Sequence, residues 1–551
     1  MLSVLLLLLS AVSCASAVVN VSVDVVCTSS SPSSCDIFPS KWAARVPDYT
    51  AKLASAWFSD SYAETGWAHL EVAAFPAGHI HASAIDSLQA YAAGLAEGYL
   101  TGVKVSQHFT NTYASYWGEG PVPQPFVDYI ETNLAYMRKQ SEALGSSDSF
   151  WQHVGLILTQ MQGILDGSNL ALAGTKLQTL SFFDLMVSNI GEECNRNAEI
   201  GDILPAVLPH VGDIVMPSNM DLRRKSHCSA ALRIAPDLSD IFFGHSTWCN
   251  YDSMLRIFKH YNLQYATPQV SSFSSYPGTV SSIDDYYILE TMSVMETTNA
   301  VLKLNVSAIS PVGTVPTFMR AQVANTLATG GKHWTQIFAR ENSGTYNNQW
   351  MVLDHTKFTP GQQLGNDTLW VLEQIPGFTK AHDLTYELIK QGYWASYNVP
   401  FFATIAEMTG VSRQCWDEYC HKHCARANMF KRDMQNVSTV ADLQRVLRAF
   451  DLGDPLSKGR AIRQIAARFD LEEEHPTCGG AIDAKVSSIL LGSRNRTAYL
   501  ISGPPSDRAP ELVWDQSKAC QNVTHDGIPN HFAFPWVHPP PALVMRRRRS
   551  P

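Results

Sequence analysis

Cys228 is the residue of this sequence best placed for covalent chemistry. It begins a β-like stretch, CSAALRI, directly after the polar segment 212–227 (GDIVMPSNMDLRRKSH). A basic, proline-containing segment of this kind predicts an exposed linker that is open to cleavage. A cut between His227 and Cys228 would place an α-amine beside the thiol, so that one residue would supply both nucleophile and base. Composition alone also allows Cys228 to be a disulfide partner.

Two further side chains could orient this thiol. Residues 228–234 and 241–243 predict an antiparallel hairpin whose second strand returns beside Cys228. His245 and Trp248 lie at or just after that second strand, where the residues that orient a nucleophile would stand. The alternatives are a hydrogen-bonded core histidine and a tryptophan that only packs.

An oxyanion donor is expected from a later turn. Asn347 and Asn348 stand in a glycine- and asparagine-rich turn before a predicted strand, 350–353. A side-chain amide there could donate to a developing oxyanion, and a turn-forming asparagine is the alternative. For each of the remaining candidates, the alternative to a catalytic role is a structural hydrogen bond. These candidates are Thr297 or Thr298, Asp285 and Arg426.

A second cluster, CWDEYCHKHC at 415–424, holds three thiols and two imidazoles. Such groups can ligate zinc, but this spacing matches no standard zinc signature. In a secreted chain the same cysteines could form a disulfide and leave one thiol over. The G-x-S-x-G, H-E-x-x-H and Walker motifs are absent from the sequence. We therefore expect no metal and no organic cofactor in the chemistry.

The compartment is indicated by the first residues. An apolar run after Met1 leads to the small residues of Ala15-Ser16-Ala17, which predicts a signal peptide over residues 1–17. The run is too short to span a bilayer, and we expect no transmembrane segment. Glycosylation would then be possible at six N-x-S/T sequons. These are Asn20, Asn305, Asn366, Asn436, Asn495 and Asn522.

Cysteine usage agrees with an oxidising lumen. Of 11 cysteines, one lies in the predicted signal peptide. Cys27 with Cys35 and Cys478 with Cys520 are candidate pairs, although spacing does not fix connectivity. If Cys228 keeps its thiol for chemistry, an odd number remains, so at least one other cysteine must also be unpaired.

Composition predicts a large folded core and argues against nucleic-acid binding. The 551 residues are 45% hydrophobic and 17% charged, with a formal net charge of −9. The basic run at 546–549 is interpreted as a solvated tail. Apolar spacing predicts helices over 84–105, 126–144 and 150–165, which makes the N-terminal third mainly helical.

The C-terminal half is expected to mix α and β structure. Asp252 and Ser253 are interpreted as the cap of a helix that carries Leu255, Phe258 and Tyr261. Strands are expected within 271–289, around the turn at 276–278. The sequence contains no internal repeat and no low-complexity domain.

From about residue 84 onward the sequence resembles the phospholipase B-like family, which includes the lamina ancestor proteins. Many matching stretches occur in order along the chain. They are AGLAEGYL (93–100), CSAAL (228–232), GHSTW (244–248), MLRI (254–257), FSSYPG (273–278), DDYYI (284–288), ETT (296–298), NSGTYNNQWMVLD (342–354), EQIPG (373–377), YWASYNVP (393–400) and GAIDAK (480–485).

The resemblance implies a four-layer αββα fold of the N-terminal-nucleophile hydrolases, in the α+β class. It also implies autocatalytic cleavage before the cysteine of a G-S-C-S-A-like motif. Here the motif reads SHCSA at 226–230, so that His227 replaces the family residue before the cut. The expected parts are the N-terminal chain 18–211, the linker 212–227 and the catalytic chain 228–551.

The family name implies release of fatty acyl chains from phospholipids in a lysosome, or after secretion. An amidase acting on N-acyl or peptide-like amides is an alternative, because related folds often cleave amides. A non-catalytic lumenal glycoprotein that binds lipid or a protein partner is another. A zinc-dependent hydrolase built on 415–424 is a third. The sequence carries no signal of oligomeric state.

Overall fold

The computed structural model describes residues 18–39, 52–76, 82–118, 120–191, 199–208, 228–411 and 420–539. The predicted signal peptide, the linker 212–227 with His227, the first half of the 415–424 cluster and the basic tail lie outside these residues. Among the described residues, no helix combines the length and apolarity needed to cross a bilayer.

The described chain is a mixture of helices and strands. The helices are α1 (Tyr62–Thr65), α2 (Ala82–Trp117), α3 (Gln124–Leu144), α4 (Ser149–Leu172), α5 (Phe182–Gly191), α6 (Glu199–Val207), α7 (Thr317–Leu327), α8 (Gly331–Phe338), α9 (Thr385–Gln391), α10 (Ala403–Met408), α11 (Ala425–Asp433), α12 (Val440–Leu447) and α13 (Ile489–Asn495). The strands are β1 (Val19–Cys27), β2 (Cys35–Pro39), β3 (Lys52–Asp60), β4 (Trp67–Ala74), β5 (Ser229–Ile234), β6 (Ile241–Ser246), β7 (Trp248–Asn250), β8 (Arg256–Leu263), β9 (Gln269–Ser275), β10 (Tyr286–Leu289), β11 (Met292–Thr298), β12 (Asn348–Asp354), β13 (Leu369–Ile375), β14 (Phe378–Asp383), β15 (Tyr393–Ser396), β16 (Gly479–Ala481), β17 (Asp483–Ser488), β18 (Tyr499–Ser502), β19 (Leu512–Val513) and β20 (His531–Phe532).

The larger sheet contains 11 strands in the order β14-β13-β12-β11-β10-β9-β8-β4-β3-β1-β2. Its neighbouring strands are antiparallel except β4 and β8, which pair in parallel from Trp67 opposite Arg256 to Ala74 opposite Leu263. Strands from before and after the predicted linker therefore share one sheet. The prediction of a mainly helical N-terminal third is incomplete, since the four strands β1 to β4 also belong to it.

The three predicted N-terminal helices are confirmed as α2, α3 and α4. Glycines allow α2 and α4 to approach closely. A Cβ atom on Gly94 would lie 2.0 Å from the carbonyl oxygen of Gln160, and one on Gly163 would lie 2.2 Å from that of Tyr91. Apolar side chains of these helices join those of the large sheet in one buried core, as their spacing predicted.

The smaller sheet has the order β15-β5-β6-β17-β18. Its strands β5 and β6 form the predicted antiparallel hairpin, with Ala230 opposite His245. Alternate residues of β5 face different cores, because successive side chains point to opposite faces of a strand. Leu232 packs with residues of the large sheet, whereas Ala231 packs with residues of α11 and α12.

The prediction of a helix after Asp252 is wrong. Residues Tyr251–Ser253 form a single 3₁₀ turn, and the chain then enters strand β8. Tyr261 faces the helix-side core and Phe258 faces the core between the sheets. Both faces of this strand are buried, so its apolar residues do not alternate with polar ones and can be mistaken for a helical pattern. The strands expected within 271–289 and at 350–353 are confirmed as β9, β10 and β12.

Candidate active site

Cys228 lies one residue before β5 and is almost completely buried. Its sulfur is a thiol and not part of a disulfide. The Arg426 guanidinium donates to the Cys228 carbonyl at 2.7 Å and to Asn398 Oδ1 at 2.8 Å. Arg426 also lies over the Trp248 ring, 4.5 Å from its centroid. The structure thus brings three of the predicted residues together, and Arg426 holds the backbone of the candidate nucleophile.

His245 belongs to the same group. The Cys228 sulfur, a ring nitrogen of His245 and a carboxylate oxygen of Glu296 all lie within 4.8 Å of one another. All three residues are buried. Glu296 was not a predicted site residue, although it begins the ETT stretch that the sequence matches to the family. It lies on β11 of the large sheet, so the cluster forms where the two sheets face each other.

Behind the His245 ring lies a fully buried ionic cluster. Lys485 Nζ is 3.1 Å from His245 Nδ1, and it donates to Asp284 at 2.5 Å and to Asp483 at 2.9 Å. Arg256 forms ion pairs with the same two carboxylates, at 2.6 Å and 3.0 Å. Two positive and two negative charges therefore balance inside the protein, which is what makes their burial tolerable.

These surroundings determine the protonation states. Burial, and then the positive charge of Lys485, hold the pKa of His245 well below its usual value. Burial lowers the pKa of Lys485, but Asp284 and Asp483 raise it more, so that it lies above its usual value. Burial raises the pKa of Glu296 well above its usual value, and the hydrogen bond from Tyr346 offsets this only in part. Both environments therefore favour the uncharged forms, the neutral imidazole of His245 and the protonated carboxyl of Glu296.

The two predicted asparagines differ in their surroundings. Asn347 Nδ2 donates to Asp202 at 3.2 Å and to the carbonyl of Gly344 at 3.0 Å. Asn348 is fully buried, and neither its amide nitrogen nor its amide oxygen has a hydrogen-bond partner among the described residues. An unsatisfied buried amide is costly and rare in native proteins. Asn348 is thus the better candidate for an oxyanion donor.

The remaining predicted residues lie near the cluster with other contacts. Thr297 Oγ1 is 2.6 Å from Ser396 Oγ. The carbonyl of Thr298 accepts a hydrogen bond from Asn398 at 2.6 Å. Asp285 has a positive φ of 43°. Burial, and then the charge of Glu296, raise its pKa well above the usual value.

The disulfides Cys27–Cys35 and Cys478–Cys520 are formed, which confirms both candidate pairs. Cys249 and Cys424 are buried thiols, so further cysteines beside Cys228 stay outside disulfides. Within the 415–424 cluster, Cys420 is disulfide-bonded. That bond removes one of the three thiols of the cluster from the ligands available to zinc.

Accessibility differs among the sequons. Asn20, Asn305, Asn366, Asn436 and Asn522 are exposed. Asn495 is half-buried at the end of α13, and Thr497 of its sequon is fully buried. Glycosylation at all six asparagines stays a prediction. The five exposed asparagines have the accessibility that an attached glycan requires.

Comparison with known proteins agrees with this structure. A family model described as Phospholipase B matches residues 54–539. "Phospholipase B-like protein B" of Dictyostelium discoideum is 35% identical and covers 89% of this chain and 86% of its own. "Phospholipase B-like 1" of Rattus norvegicus is 33% identical over 89% of this chain and 88% of its own. "Phospholipase B" of Crotalus adamanteus is 32% identical over 89% of both chains.

The names of the family model and of these relatives point to a hydrolase. The chain belongs to the phospholipase B-like family.

Proposed function

We propose that this chain is a hydrolase of the N-terminal-nucleophile type, activated by a cut before Cys228. The observation that carries the proposal is the position of the Cys228 thiol, at the start of a strand and beside His245 and Glu296. A new amino terminus formed there would lie inside the same buried cluster, where it can act as the base for its own thiol.

The arrangement of the cores supports a four-layer αββα fold. One core lies between α2, α4, α7 and the large sheet, a second between the two sheets, and a third between the small sheet and α11 and α12. In such a fold the maturation products are the N-terminal chain 18–211 and the catalytic chain 228–551, with the linker 212–227 cut or removed.

The cleavage step can be written with its atoms balanced. The Cys228 sulfur bonds to the carbonyl carbon of His227, the peptide C–N bond breaks, and the nitrogen takes up a proton to become the α-amine. Water then hydrolyses the thioester, which leaves a carboxylate on His227 and a thiol on Cys228. Arg426, through its hydrogen bond to the Cys228 carbonyl, holds the residue in place during both steps.

Turnover repeats the same chemistry on a substrate. The Cys228 thiolate attacks an acyl carbonyl, the alcohol or amine leaves with a proton, and water hydrolyses the acyl-enzyme. Asn348 donates to the oxyanion, because its buried amide has no other partner among the described residues. The relatives' printed names favour phospholipid esters over N-acyl amides as the substrate class. His245 and Trp248 orient the nucleophile.

Two disulfides and five exposed sequons favour a lumenal glycoprotein, located in a lysosome or secreted. An oxidising compartment is the setting in which these disulfides form and persist. Delivery to lysosomes is inferred from the family resemblance.

The first test is intact mass and N-terminal sequencing of purified protein after incubation at acidic pH. We expect a fragment that begins at Cys228 in the wild type and in Cys249→Ala, which removes an equally buried thiol. The fragment should be missing in Cys228→Ala. Identical cuts within 212–227 in all three proteins would show that other proteases process the chain, and the self-cleavage proposal would fail.

The second test compares a phospholipid with an acyl-amide panel, using the mature protein. Release of fatty acid from phospholipid supports the proposed substrate class. Activity only on amides would make the protein an amidase. A Cys228→Ala variant that retains full biological function would favour a non-catalytic lipid- or partner-binding role.

A further inference from the structure

The cluster of Cys228, His245 and Glu296 has the composition of a metal site. A thiolate, an imidazole and a carboxylate can together hold Zn²⁺, and their ligand atoms lie within 4.8 Å of one another. A metal-bound histidine, however, donates its other ring N–H to an acceptor such as a carboxylate, a carbonyl or water. The contact on the far side of the ring therefore decides whether His245 can serve as a ligand.

The nearer of the two contacts to Nδ1 is made by a group that can only donate. Lys485 Nζ lies 3.1 Å from His245 Nδ1, and an ammonium carries three N–H donors and no lone pair. Thr247 Oγ1 lies 3.2 Å from the same nitrogen; it gives its one proton to Asp284 at 3.0 Å, and its oxygen already accepts a hydrogen bond from Lys485. Nδ1 can face the ammonium favourably only with its lone pair.

The charge on Lys485 is secured by its other partners. Its ammonium is fully buried between the carboxylates of Asp284 and Asp483, which would be left uncompensated if the lysine lost its proton. Asp284 is also paired with Arg256 at 2.6 Å. Two cations and two carboxylates thus balance each other, so the lysine keeps its proton and its positive charge.

We propose that Lys485 is a positioning residue for His245, which keeps the ring proton on Nε2 and makes the histidine a hydrogen-bond donor toward the Cys228 sulfur. His245 Nε2 is buried and has no side-chain partner among the described residues. A proton there can be donated to a thiolate, and it blocks a metal from that nitrogen. His245 is then not the general base, which agrees with an α-amine base at Cys228.

The role of Lys485 in catalysis rests on the proposed function. The tautomer of His245 does not depend on that function. Several charged or titratable groups face the ring, and together they must be considered in any pH experiment. They are Lys485 and Asp483 on β17 or at its start, Asp284 in the turn before β10, Arg256 on β8, Glu296 on β11 and Cys228 before β5.

The tautomer can be read directly by NMR with histidine labelled with ¹⁵N in the ring, with a His245→Gln variant to identify the signal. In the wild type we expect a neutral Nε2–H ring that does not titrate between about pH 4.5 and about pH 8. Lys485→Met should allow His245 to titrate within this range, because the carboxylates lose one of their two cations. Lys485→Arg, which also has only donors, should restore the wild-type signal.

Lys259→Met is the matched control, since Lys259 is a fully buried lysine that pairs with Glu97 at 2.8 Å and donates to the carbonyl of Thr279 at 2.6 Å. It should lower stability without changing the His245 signal. In turnover, Lys485→Met should lower kcat by about 10–100-fold with little change in KM, the effect typical of lost second-layer partners. Lys485→Arg should recover most of this loss.

Several results would overturn the inference. These are an Nδ1–H ring in the wild type, a Lys485→Arg variant that titrates as Lys485→Met does, or stoichiometric zinc bound through His245. If Lys485→Met does not fold, the wild-type tautomer and the Lys485→Arg titration still decide. A protein with the expected tautomer that hydrolyses neither ester nor amide would refute the proposed function and leave the tautomer established.

Discussion

Glu373 should make the folded protein more stable at acidic than at neutral pH. This carboxyl is fully buried on β13, where it accepts hydrogen bonds from Gln349 at 2.7 Å and from the backbone nitrogens of Phe401 and Phe402 at 2.7 Å and 3.1 Å. Burial raises its pKa from 4.5 to about 7, and these hydrogen bonds offset the effect only in part.

The sign follows from linkage between protonation and folding. Because the folded-state pKa lies above the unfolded value, the unfolded state releases its proton first as pH rises. The stabilisation is fully present below about pH 4.5 and is lost as pH rises through about 7. A shift from 4.5 to about 7, at about 1.4 kcal/mol per pH unit, gives a loss of about 3 kcal/mol.

The perturbation is Glu373→Gln, which cannot ionise. At acidic pH the variant should be about 1 kcal/mol less stable than the parent, because an amide offers one acceptor fewer to Gln349 and the backbone. Near pH 7.5 that order should reverse, since only the parent carries the cost of a buried charge. The exposed Glu407→Gln is the matched control and should follow the parent at every pH.

The assay is urea unfolding from about pH 4.5 to about pH 7.5, in a Cys228→Ala background so that cleavage does not vary between samples. The free-energy difference between parent and Glu373→Gln should change by about 3 kcal/mol across this range. A difference that stays constant with pH would show that Glu373 is ionised in the folded protein at acidic pH, and the reasoning from burial would be refuted.

Three further predictions concern the site and its supports. Asn348→Ala should lower kcat on the order of 100–1000-fold with unchanged urea midpoint, whereas Asn347→Ala should mainly lower the midpoint, because Asn347 is held by Asp202. Arg426→Lys should lower activity about 10-fold or more, as one ammonium cannot both reach the Cys228 carbonyl and cover Trp248; activity equal to wild type would contradict this. Replacing Cys478 and Cys520 by serine opens a loop of sequence separation 42 and should cost about 4 kcal/mol. Replacing Cys27 and Cys35, with a separation of 8, should cost about 2.5 kcal/mol, and urea unfolding measures both.

Local patterns predicted the parts of the site that depend on neighbouring residues. The hairpin of β5 and β6 could be predicted from two short apolar runs around a turn. Pairing of these two strands is enough to place His245 opposite Ala230. The amphipathic helices α2 to α4 were equally visible from their spacing. Strand β8 was misjudged because both of its faces are buried, and the N-terminal strands were missed.

The ionic part of the site could not be predicted in this way. Lys485 reaches His245 across a sequence separation of 240, and Asp284 across 201. No pattern within one strand shows that a lysine and an aspartate will be buried against each other. Glu296 was within a matched stretch, but an isolated glutamate on a strand gives no sign of its neighbours. The contact of Lys485 with His245 appears only when β17 pairs with β6, and the contacts of Asp284 and Glu296 appear only when the two sheets are packed together.

The parallel pairing of β4 with β8 would affect the lifetime of a protein cut before Cys228. A cut before Cys228 places these two strands on different polypeptides, and each of the disulfides Cys27–Cys35 and Cys478–Cys520 closes within one polypeptide. If the disulfide of Cys420 does not join the two polypeptides, refolding of the cut protein is a second-order reaction, slow at low concentration, whereas the precursor refolds as a single molecule. Persistence of the active form would be governed by how slowly the two halves separate, so its durability is kinetic.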